Sequence, residues 1–175
     1  LAEALYWSRP RSVFGKYLID QPLMRAVLAD MALEWMAATE IAMRVAAAFD
    51  AAQDDPAEAA FARLAVALAK YINNKRCPVV VTEAMECLGG MGYVEDTPAP
   101  WLYREAPLNA IWEGSGNVIC LDVLRTLKKV PQAAEAFLAE IGSLRPANTE
   151  LSATLGDIKT MISEGVEESA ARKVV

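Results

Sequence analysis

The chain has 175 residues, a formal net charge of −6 and no histidine. This length suits a single domain with a sizeable core, and the lack of histidine excludes histidine-based triads, imidazole acid–base catalysis and histidine metal sites within the chain. The three cysteines (Cys77, Cys87, Cys120) lack C-x-x-C spacing, so neither a metal site nor a disulfide framework is expected. No uninterrupted apolar run reaches membrane-spanning length. We expect a reducing, cytoplasmic location.

Helices are predicted along most of the chain. Hydrophobic residues make up 54% of it, alanine dominates, and apolar side chains recur at three- and four-residue steps rather than in alternation. Residues 1–8 have the pattern of a helix end, and residues 9–21 that of a polar, locally basic connector. A long amphipathic helix is predicted from Pro22, which suits a first helical turn, to about Phe49.

A second long helix is predicted to run to about Leu88. Asp55 is a suitable cap for its start, with a proline and a glutamate in the first turn, and the two glycines after Leu88 end it. Residues 89–117 are rich in glycine and proline, which indicates a functional loop region with one short helix. Residues 118–129 have the pattern of a third long helix.

Two further helices are predicted, over about residues 131–142 and 148–172. Four or more helices with mostly short connections predict an all-α fold, an antiparallel four-helix-bundle-like domain with extra C-terminal helices. Because the chain opens at Leu1 within helical sequence, without a methionine or a signal peptide, we also expect that an N-terminal part is missing.

The most informative motif is WEGSGN at residues 112–117, a single carboxylate on a glycine-rich turn before an apolar run. One interpretation is that Glu113 is a surface carboxylate, favoured near a helix N-terminus by the helix dipole. The other is a catalytic base that takes a proton from carbon, with Ile111 and Trp112 forming an apolar wall from which substrate expels water. Spacing alone leaves both interpretations open.

Two other stretches contain candidate ligand contacts. The glycines Gly89, Gly90 and Gly92 allow a ligand to approach the backbone closely. They equally suit a helix stop and turn, and they follow a helix rather than the strand that a nucleotide loop needs. Arg11, with Phe14 nearby, can hold a phosphate and stack on a base, although an arginine in a connector is usually only solvated.

Five short motifs occur in one order along the chain. They are Arg-x-x-Phe-Gly at 11–15, Leu-Ala-Asp-Met at 28–31, Gly-Gly-x-Gly-Tyr at 89–93, Arg-Glu at 104–105 and aromatic-Glu-Gly-Ser at 112–115. The Arg-Glu motif by itself indicates structural pairing that holds the loop. Together, the order and spacing resemble the C-terminal domain of the acyl-CoA dehydrogenases over roughly residues 1–128. The extension 129–175 is not part of the common pattern.

The resemblance implies an FAD-dependent enzyme that oxidises an acyl-CoA thioester to a trans-2-enoyl-CoA. Glu113 stands where many members carry the base that takes the α-proton. Its backbone N–H, in the substrate-binding turn with Gly114, would help to polarise the thioester carbonyl. The resemblance further implies a homotetramer or homodimer and an electron acceptor such as an electron-transfer flavoprotein.

The resemblance also implies a set of FAD contacts. One pair matches positions that contact the FAD of a neighbouring subunit, three glycines match the loop at the adenosine end of FAD, and two polar residues stand near the flavin. In that order they are Arg11 and Phe14; Gly89, Gly90 and Gly92; Ser115 and Asn117.

The sequence departs from the usual family pattern at two places. Pro22 stands where the family often has a glutamine, with Gln21 one place earlier, and Ser115 replaces the usual threonine. With residues 102–109 before it, the Glu113 stretch looks most like the alkylation-response branch, which is associated with DNA as well as flavin. Residues 131–175 contain seven acids and four bases, a net charge of −3, which disfavours duplex binding.

Three interpretations therefore stand. The first is the C-terminal domain of an FAD-dependent acyl-CoA dehydrogenase, inactive when isolated. The second is a DNA-associated stress flavoprotein with little dehydrogenase turnover. The third is a domain that acts only as an oligomerisation scaffold.

Overall fold

The computed structural model describes residues 1–143 and 149–175. The described chain is almost entirely helical, so the predicted all-α class is confirmed. Four short 3-10 helices (Leu18–Asp20, Gly89–Gly92, Leu108–Ala110, Glu168–Lys173) lie between or after the main elements. The main elements are α1 (Ala2–Ser8), β1 (Ser12–Val13), β2 (Lys16–Tyr17), α2 (Pro22–Ala51), α3 (Pro56–Leu88), α4 (Ala99–Glu105), α5 (Gly116–Lys129), α6 (Pro131–Ser143) and α7 (Thr149–Glu164).

The predicted connector over residues 9–21 contains an unpredicted β-hairpin. Strands β1 and β2 pair antiparallel, and the turn between them places Phe14 at φ 52° and Gly15 at φ 75°. Two consecutive positive φ angles match the twist of a tight hairpin. The side-chain amide of Gln21 donates to the Val13 carbonyl oxygen at 3.2 Å. The hairpin was missed because phenylalanine replaces the asparagine or aspartate that usually signals this turn.

The two long helices agree with their predicted limits. Helix α2 extends two residues beyond the predicted end at Phe49. At the start of α3 the Asp55 carboxylate accepts a hydrogen bond from the Ala57 backbone N–H at 2.8 Å, which confirms the predicted cap. Gly89 then adopts φ +62° directly after Leu88 and ends the helix.

The C-terminal prediction needs one correction. Helix α6 matches the prediction, but the single helix expected over residues 148–172 is wrong beyond Glu164. Gly165 adopts φ +90°, which ends α7, and the chain resumes as the 3-10 helix Glu168–Lys173. The predicted start at residue 148 lies outside the described residues.

The chain divides into two compact units. Unit 1 consists of Leu1–Ile41 and Ile72–Glu113, and unit 2 of Ala42–Tyr71 and Gly114–Val175. Helices α2 and α3 each contribute residues to both units. The core of unit 1 is formed by Ala4, Leu28, Met31, Cys87, Leu88 and Ala99.

The core of unit 1 supports both loops that contain candidate ligand contacts. Ile19, just after the hairpin, and Met91, within the glycine loop, pack against the same core cluster. The Thr97 hydroxyl donates to the Met91 carbonyl oxygen at 2.8 Å. Gly92 is buried, and a Cβ there would lie 2.1 Å from the Met85 carbonyl oxygen. This contact requires glycine at position 92 regardless of any ligand.

In unit 2, Arg44 ties helix α6 to the two long helices. Its guanidinium donates to Glu140 at 2.6 Å and to Glu58 at 2.8 Å, and lies 4.0 Å from the ring centroid of Phe61. Two hydrogen bonds raise the pKa of Arg44 above its usual value. The bond to Glu140 has the larger effect and the bond to Glu58 the smaller. Ala133 of α6 is fully buried in the adjoining core. Apolar packing and paired charges therefore both attach α6 to this unit.

Helix α5 is fixed to α3 by a second forked ion pair. The two terminal nitrogens of Arg63 donate to the two carboxylate oxygens of Asp122, each at 2.9 Å. The hydrogen bond from Arg63 lowers the pKa of Asp122. Thr126, which is 2% exposed, donates its hydroxyl to the Asp122 carbonyl oxygen at 2.8 Å. This face of α5 is thus held by both charge and burial.

Replacing Gly92 with alanine tests the close contact in the glycine loop. Gly92→Ala is expected to lower the free energy of unfolding by roughly 2–3 kcal/mol, because the new Cβ would overlap a backbone oxygen that cannot rotate away. Gly90→Ala is the matched control, since an added Cβ there meets nothing within 4 Å. Urea unfolding of both variants measures the difference, and equal stabilities would contradict the contact.

The Arg63–Asp122 pair predicts a pH-dependent contribution to stability. Because the folded-state pKa of Asp122 is lowered, the stabilisation is present above the ordinary aspartate pKa of 3.8 and is lost as pH falls through the lowered value. Both side chains are partly exposed, so Asp122→Asn is expected to cost roughly 0.5–1 kcal/mol at pH 7. Urea unfolding of wild type and variant over a pH series tests this. If the difference in free energy of unfolding between wild type and Asp122→Asn stays constant as the pH falls below 3.8, the pair does not stabilise the fold in the way described.

Candidate active site

The Glu113 turn has an unusual backbone conformation. Glu113 has φ 54° and Gly114 φ 106°, two consecutive residues in the left-handed region. For a residue with a Cβ this conformation costs roughly 1–2 kcal/mol, and asparagine, aspartate or glycine are its usual occupants. Upstream, the Trp112 indole N–H donates to Asn109 Oδ1 at 2.9 Å, and the Trp112 backbone N–H donates to the Leu108 carbonyl oxygen at 3.1 Å.

Glu113 follows two exposed apolar residues in the sequence. It is exposed itself, and its neighbours Ile111 and Trp112 are 65% and 55% exposed. Helix α5 begins at Gly116 with Ser115 as its N-cap, so Glu113 precedes the cap by two residues. The first turn is where a helix dipole interacts most strongly with a carboxylate. Glu113 therefore precedes the first turn of α5 in the sequence.

In unit 2, the start of α5 is held by backbone contacts. Ser115 adopts an extended N-cap conformation without a side-chain capping bond, and its carbonyl oxygen accepts from the Ile119 N–H at 2.9 Å. The Lys70 ammonium group donates to the Gly114 carbonyl oxygen at 3.0 Å. No local sequence signal pointed to Lys70, because the two residues meet only in the folded unit.

Asn117 contacts the C-terminal extension. Its Oδ1 accepts hydrogen bonds from Nε of Arg172 at 3.0 Å and from Nη2 of the same residue at 2.7 Å. Both residues are exposed and belong to unit 2. In the sequence, Arg172 contributes only to the net charge of residues 131–175. No residue near it in the chain predicts a contact with Asn117.

The hairpin of unit 1 presents an uncovered aromatic ring. Phe14 is 100% exposed at the tip of the turn. The guanidinium of Arg11, just before β1, lies 5.9 Å from the ring centroid of Trp7. The Arg11 carbonyl oxygen also accepts from the Leu18 N–H at 2.8 Å, so backbone contacts fix this end of the hairpin. The two predicted ligand contacts, Arg11 and Phe14, are therefore both exposed, one at the base of the hairpin and one at its tip.

The glycine loop of unit 1 borders an open cavity with a volume of about 1000 Å³. An added Cβ at Gly89 or Gly90 would meet no atom within 4 Å, so their backbone is open to a ligand. At the same cavity Arg104 donates to the two oxygens of Glu95 at 2.8 and 3.1 Å. Arg104 thus forms the structural pair expected of it, with Glu95 rather than with the adjacent Glu105, and the hydrogen bond lowers the pKa of Glu95.

Within the described ranges 1–143 and 149–175, the structure offers no cluster of three or more cysteine, aspartate or glutamate residues able to hold a metal ion. Over the same ranges no helix is both long and apolar enough to cross a membrane.

The sequence-predicted site residues are divided between the two units. Unit 1 contains Arg11, Phe14, Gly89, Gly90, Gly92 and Glu113, and unit 2 contains Gly114, Ser115 and Asn117.

Comparison with known proteins identifies relatives by sequence. The putative acyl-CoA dehydrogenase AidB of Escherichia coli K12 is 52% identical over 126 residues, which cover 72% of this chain and 23% of the relative. Acyl-CoA dehydrogenase family member 11 of Caenorhabditis elegans is 33% identical over 171 residues, which cover 96% of this chain and 27% of the relative. The chain thus spans about a quarter of the length of these relatives.

Solved structures agree with the sequence matches. The apo form of Bd2924 superposes with a TM-score of 0.84 at 30% identity, over 98% of this chain and 34% of that one. ACDH-11 of Caenorhabditis elegans, in complex with C11-CoA, gives a TM-score of 0.77 at 28% identity, over 92% of this chain and 28% of that one. Both matches include most of the extension. The butyryl-CoA dehydrogenase of Megasphaera elsdenii matches 73% of this chain and 32% of that one, with a TM-score of 0.61 at 28% identity.

The matched region coincides with the segment that contains the five motifs. Residues 1–128 match the family described as acyl-CoA dehydrogenase, C-terminal domain. The match covers well over half of the 175 residues. The chain therefore belongs to the acyl-CoA dehydrogenase family.

Proposed function

We propose that this chain is the C-terminal helical domain of an FAD-dependent enzyme that oxidises acyl-CoA to trans-2-enoyl-CoA. In this proposal residues 1–128 form the domain and residues 129–175 an extension packed on it. The observation that carries the proposal is the left-handed backbone of Glu113 at φ 54°. A glycine would adopt this conformation without strain, so the structure retains a carboxylate at an energetic cost. Strain of this kind clusters at functional sites.

Glu113 acts as the base in the proposed reaction. Its carboxylate takes the α-proton of the thioester, and the electron pair of the broken C–H bond forms the new double bond. The exposed side chains of Ile111 and Trp112 suit contact with an acyl chain. Such contact removes water from the carboxylate and makes proton transfer from carbon easier. The Glu113 backbone N–H donates to the thioester carbonyl oxygen, where negative charge develops.

The unit 1 loops are proposed to contact the FAD of a neighbouring subunit. The uncovered ring of Phe14 suits stacking on an aromatic ring system, and Arg11 offers a charged fork that matches a phosphate. Gly89 and Gly90 leave the backbone open to close approach. Gly92 shapes the same loop through its own packing. FAD supplies the acceptor for the β-hydrogen, which leaves with its electron pair as the double bond forms.

On the α5 side, Ser115 and Asn117 are proposed to contact the cofactor near the flavin. Ser115 makes no side-chain capping bond, and its hydroxyl can therefore donate to a ligand at modest cost. Asn117 is exposed on the first turn of α5. These two contacts would come from unit 2, alongside Gly114 as part of the substrate turn.

The relatives' names support a substrate class and an electron acceptor. ACDH-11 was solved with C11-CoA, and other relatives are named for butyryl-CoA and glutaryl-CoA. We therefore propose an acyl-CoA substrate. One relative, from Acetobacterium woodii, is a subunit of a caffeyl-CoA reductase-Etf complex, which supports an electron-transfer flavoprotein as acceptor.

The proposal also includes a homotetramer or homodimer and membership of the alkylation-response branch. No observation favours the DNA-associated alternative.

The role of Glu113 is tested by a charge-removing isostere in an intact protein that carries this chain. Glu113→Gln is expected to slow flavin reduction by acyl-CoA roughly 10²–10⁴-fold, the usual contribution of a positioned base. Glu3→Gln removes an exposed carboxylate from α1 and serves as the matched control, with a rate close to wild type. Stopped-flow absorbance of the flavin gives both rates.

One outcome would contradict the role of Glu113 as the base. If Glu113→Gln binds FAD and reduces it at the wild-type rate, Glu113 is not the base. Glu113→Asp gives a second check, because a carboxylate withdrawn by one methylene should retain part of the rate that glutamine loses.

A further inference from the structure

The extension meets α5 along one stripe of that helix. Asn117, Cys120, Leu121 and Leu124 recur at three- and four-residue steps and so share a face. Ala171, in the 3-10 helix Glu168–Lys173, is 4% exposed and packs in one cluster with Cys120 and Leu124. The next residue in the chain is Arg172, which contacts the first turn of α5. The burial of Ala171 therefore brings the Arg172 guanidinium to Asn117.

The hydrogen-bond chemistry of this contact fixes the orientation of the amide. A guanidinium has only donors, so the side-chain oxygen of Asn117 must face Arg172. Two N–H groups of Arg172 do converge on Oδ1, at 3.0 and 2.7 Å. With Oδ1 engaged, the Asn117 amide can offer a ligand its two Nδ2 donors. Without Arg172, either end of the amide could turn toward that ligand.

We propose that Arg172 is a positioning residue, which holds Asn117 so that its Nδ2 serves as a hydrogen-bond donor to bound FAD. The inference rests on the proposed function, which assigns Asn117 to the cofactor. FAD offers many oxygen and nitrogen acceptors, and a donor held in place in advance does not lose side-chain entropy on binding. The extension thus contributes to cofactor affinity through one contact with the family domain.

Anchoring alone does not account for the Arg172 contact. Helix α6 is already attached by the Arg44–Glu140 pair and by fully buried Ala133. The C-terminal 3-10 helix is attached by buried Ala171. An exposed arginine–amide contact adds little to these apolar attachments. Its distinctive consequence is the direction in which the amide points.

Four variants of the intact flavoprotein separate orientation from anchoring. Asn117→Asp keeps an acceptor for Arg172 but removes the Nδ2 donors. Arg172→Met keeps the aliphatic stem but removes the donors that hold the amide. Arg172→Lys restores a donor at the same place. Lys173→Met removes an equal charge from the adjacent residue and serves as the matched control.

FAD affinity of each apoprotein, measured by fluorescence titration, is the main readout. We expect Asn117→Asp to raise the Kd for FAD about tenfold and Arg172→Met to raise it about fivefold. Arg172→Lys should lie within about threefold of wild type, and Lys173→Met should match it. Circular dichroism and the thermal midpoint report any loss of fold separately.

The outcomes are distinguishable. If wild type binds FAD and Asn117→Asp binds it equally well, the positioning role is wrong while the proposed function stands. The positioning role is also wrong if Arg172→Met lowers the thermal midpoint but leaves FAD affinity unchanged, or if Lys173→Met weakens binding as much as Arg172→Met. If wild type takes up no FAD at all, the proposed function itself fails, and this inference fails with it.

Discussion

The backbone at Glu113 and Gly114 is the constraint around which the functional interpretation of this chain is built. Two consecutive residues, at φ 54° and φ 106°, lie in the left-handed region just before α5. Glycine accepts this geometry freely, whereas glutamate pays for it in steric strain. The adjoining contacts keep the geometry in place. Upstream, Trp112 is hydrogen-bonded to Asn109, and downstream Lys70 donates to the Gly114 carbonyl oxygen.

The attachments within unit 2 explain how the start of α5 stays fixed. Arg63 and Asp122 pair through two 2.9 Å hydrogen bonds, which hold α5 to α3. The extension uses apolar burial at α6 and at the C-terminal 3-10 helix, and it adds the Arg172–Asn117 contact. The extension therefore lies on the same helix whose start contains the candidate residues. Under the proposed positioning role, the extension also contributes to cofactor binding.

The sequence predicts the long elements well because their signals are local. The cap at Asp55 and the glycine stop after Leu88 each depend on neighbours within one turn. The Phe14 hairpin and the break at Gly165 were missed, since the first uses an atypical turn residue and the second hides in helical periodicity. Glu113 was singled out by its motif, and its role as the base stays a proposal. Lys70 and Arg172 could not be found, because each meets its partner across more than forty residues of chain.

The most direct test of the central claim follows the α-proton itself. An acyl-CoA analogue that cannot lose its β-hydrogen can be incubated with the intact protein in D₂O, and NMR then measures deuterium entering the α-carbon. The account predicts measurable exchange with wild type and exchange slower by roughly 10²-fold or more with Glu113→Gln. Equal exchange in the two proteins, with both shown to bind the analogue, would contradict the assignment of Glu113 as the base.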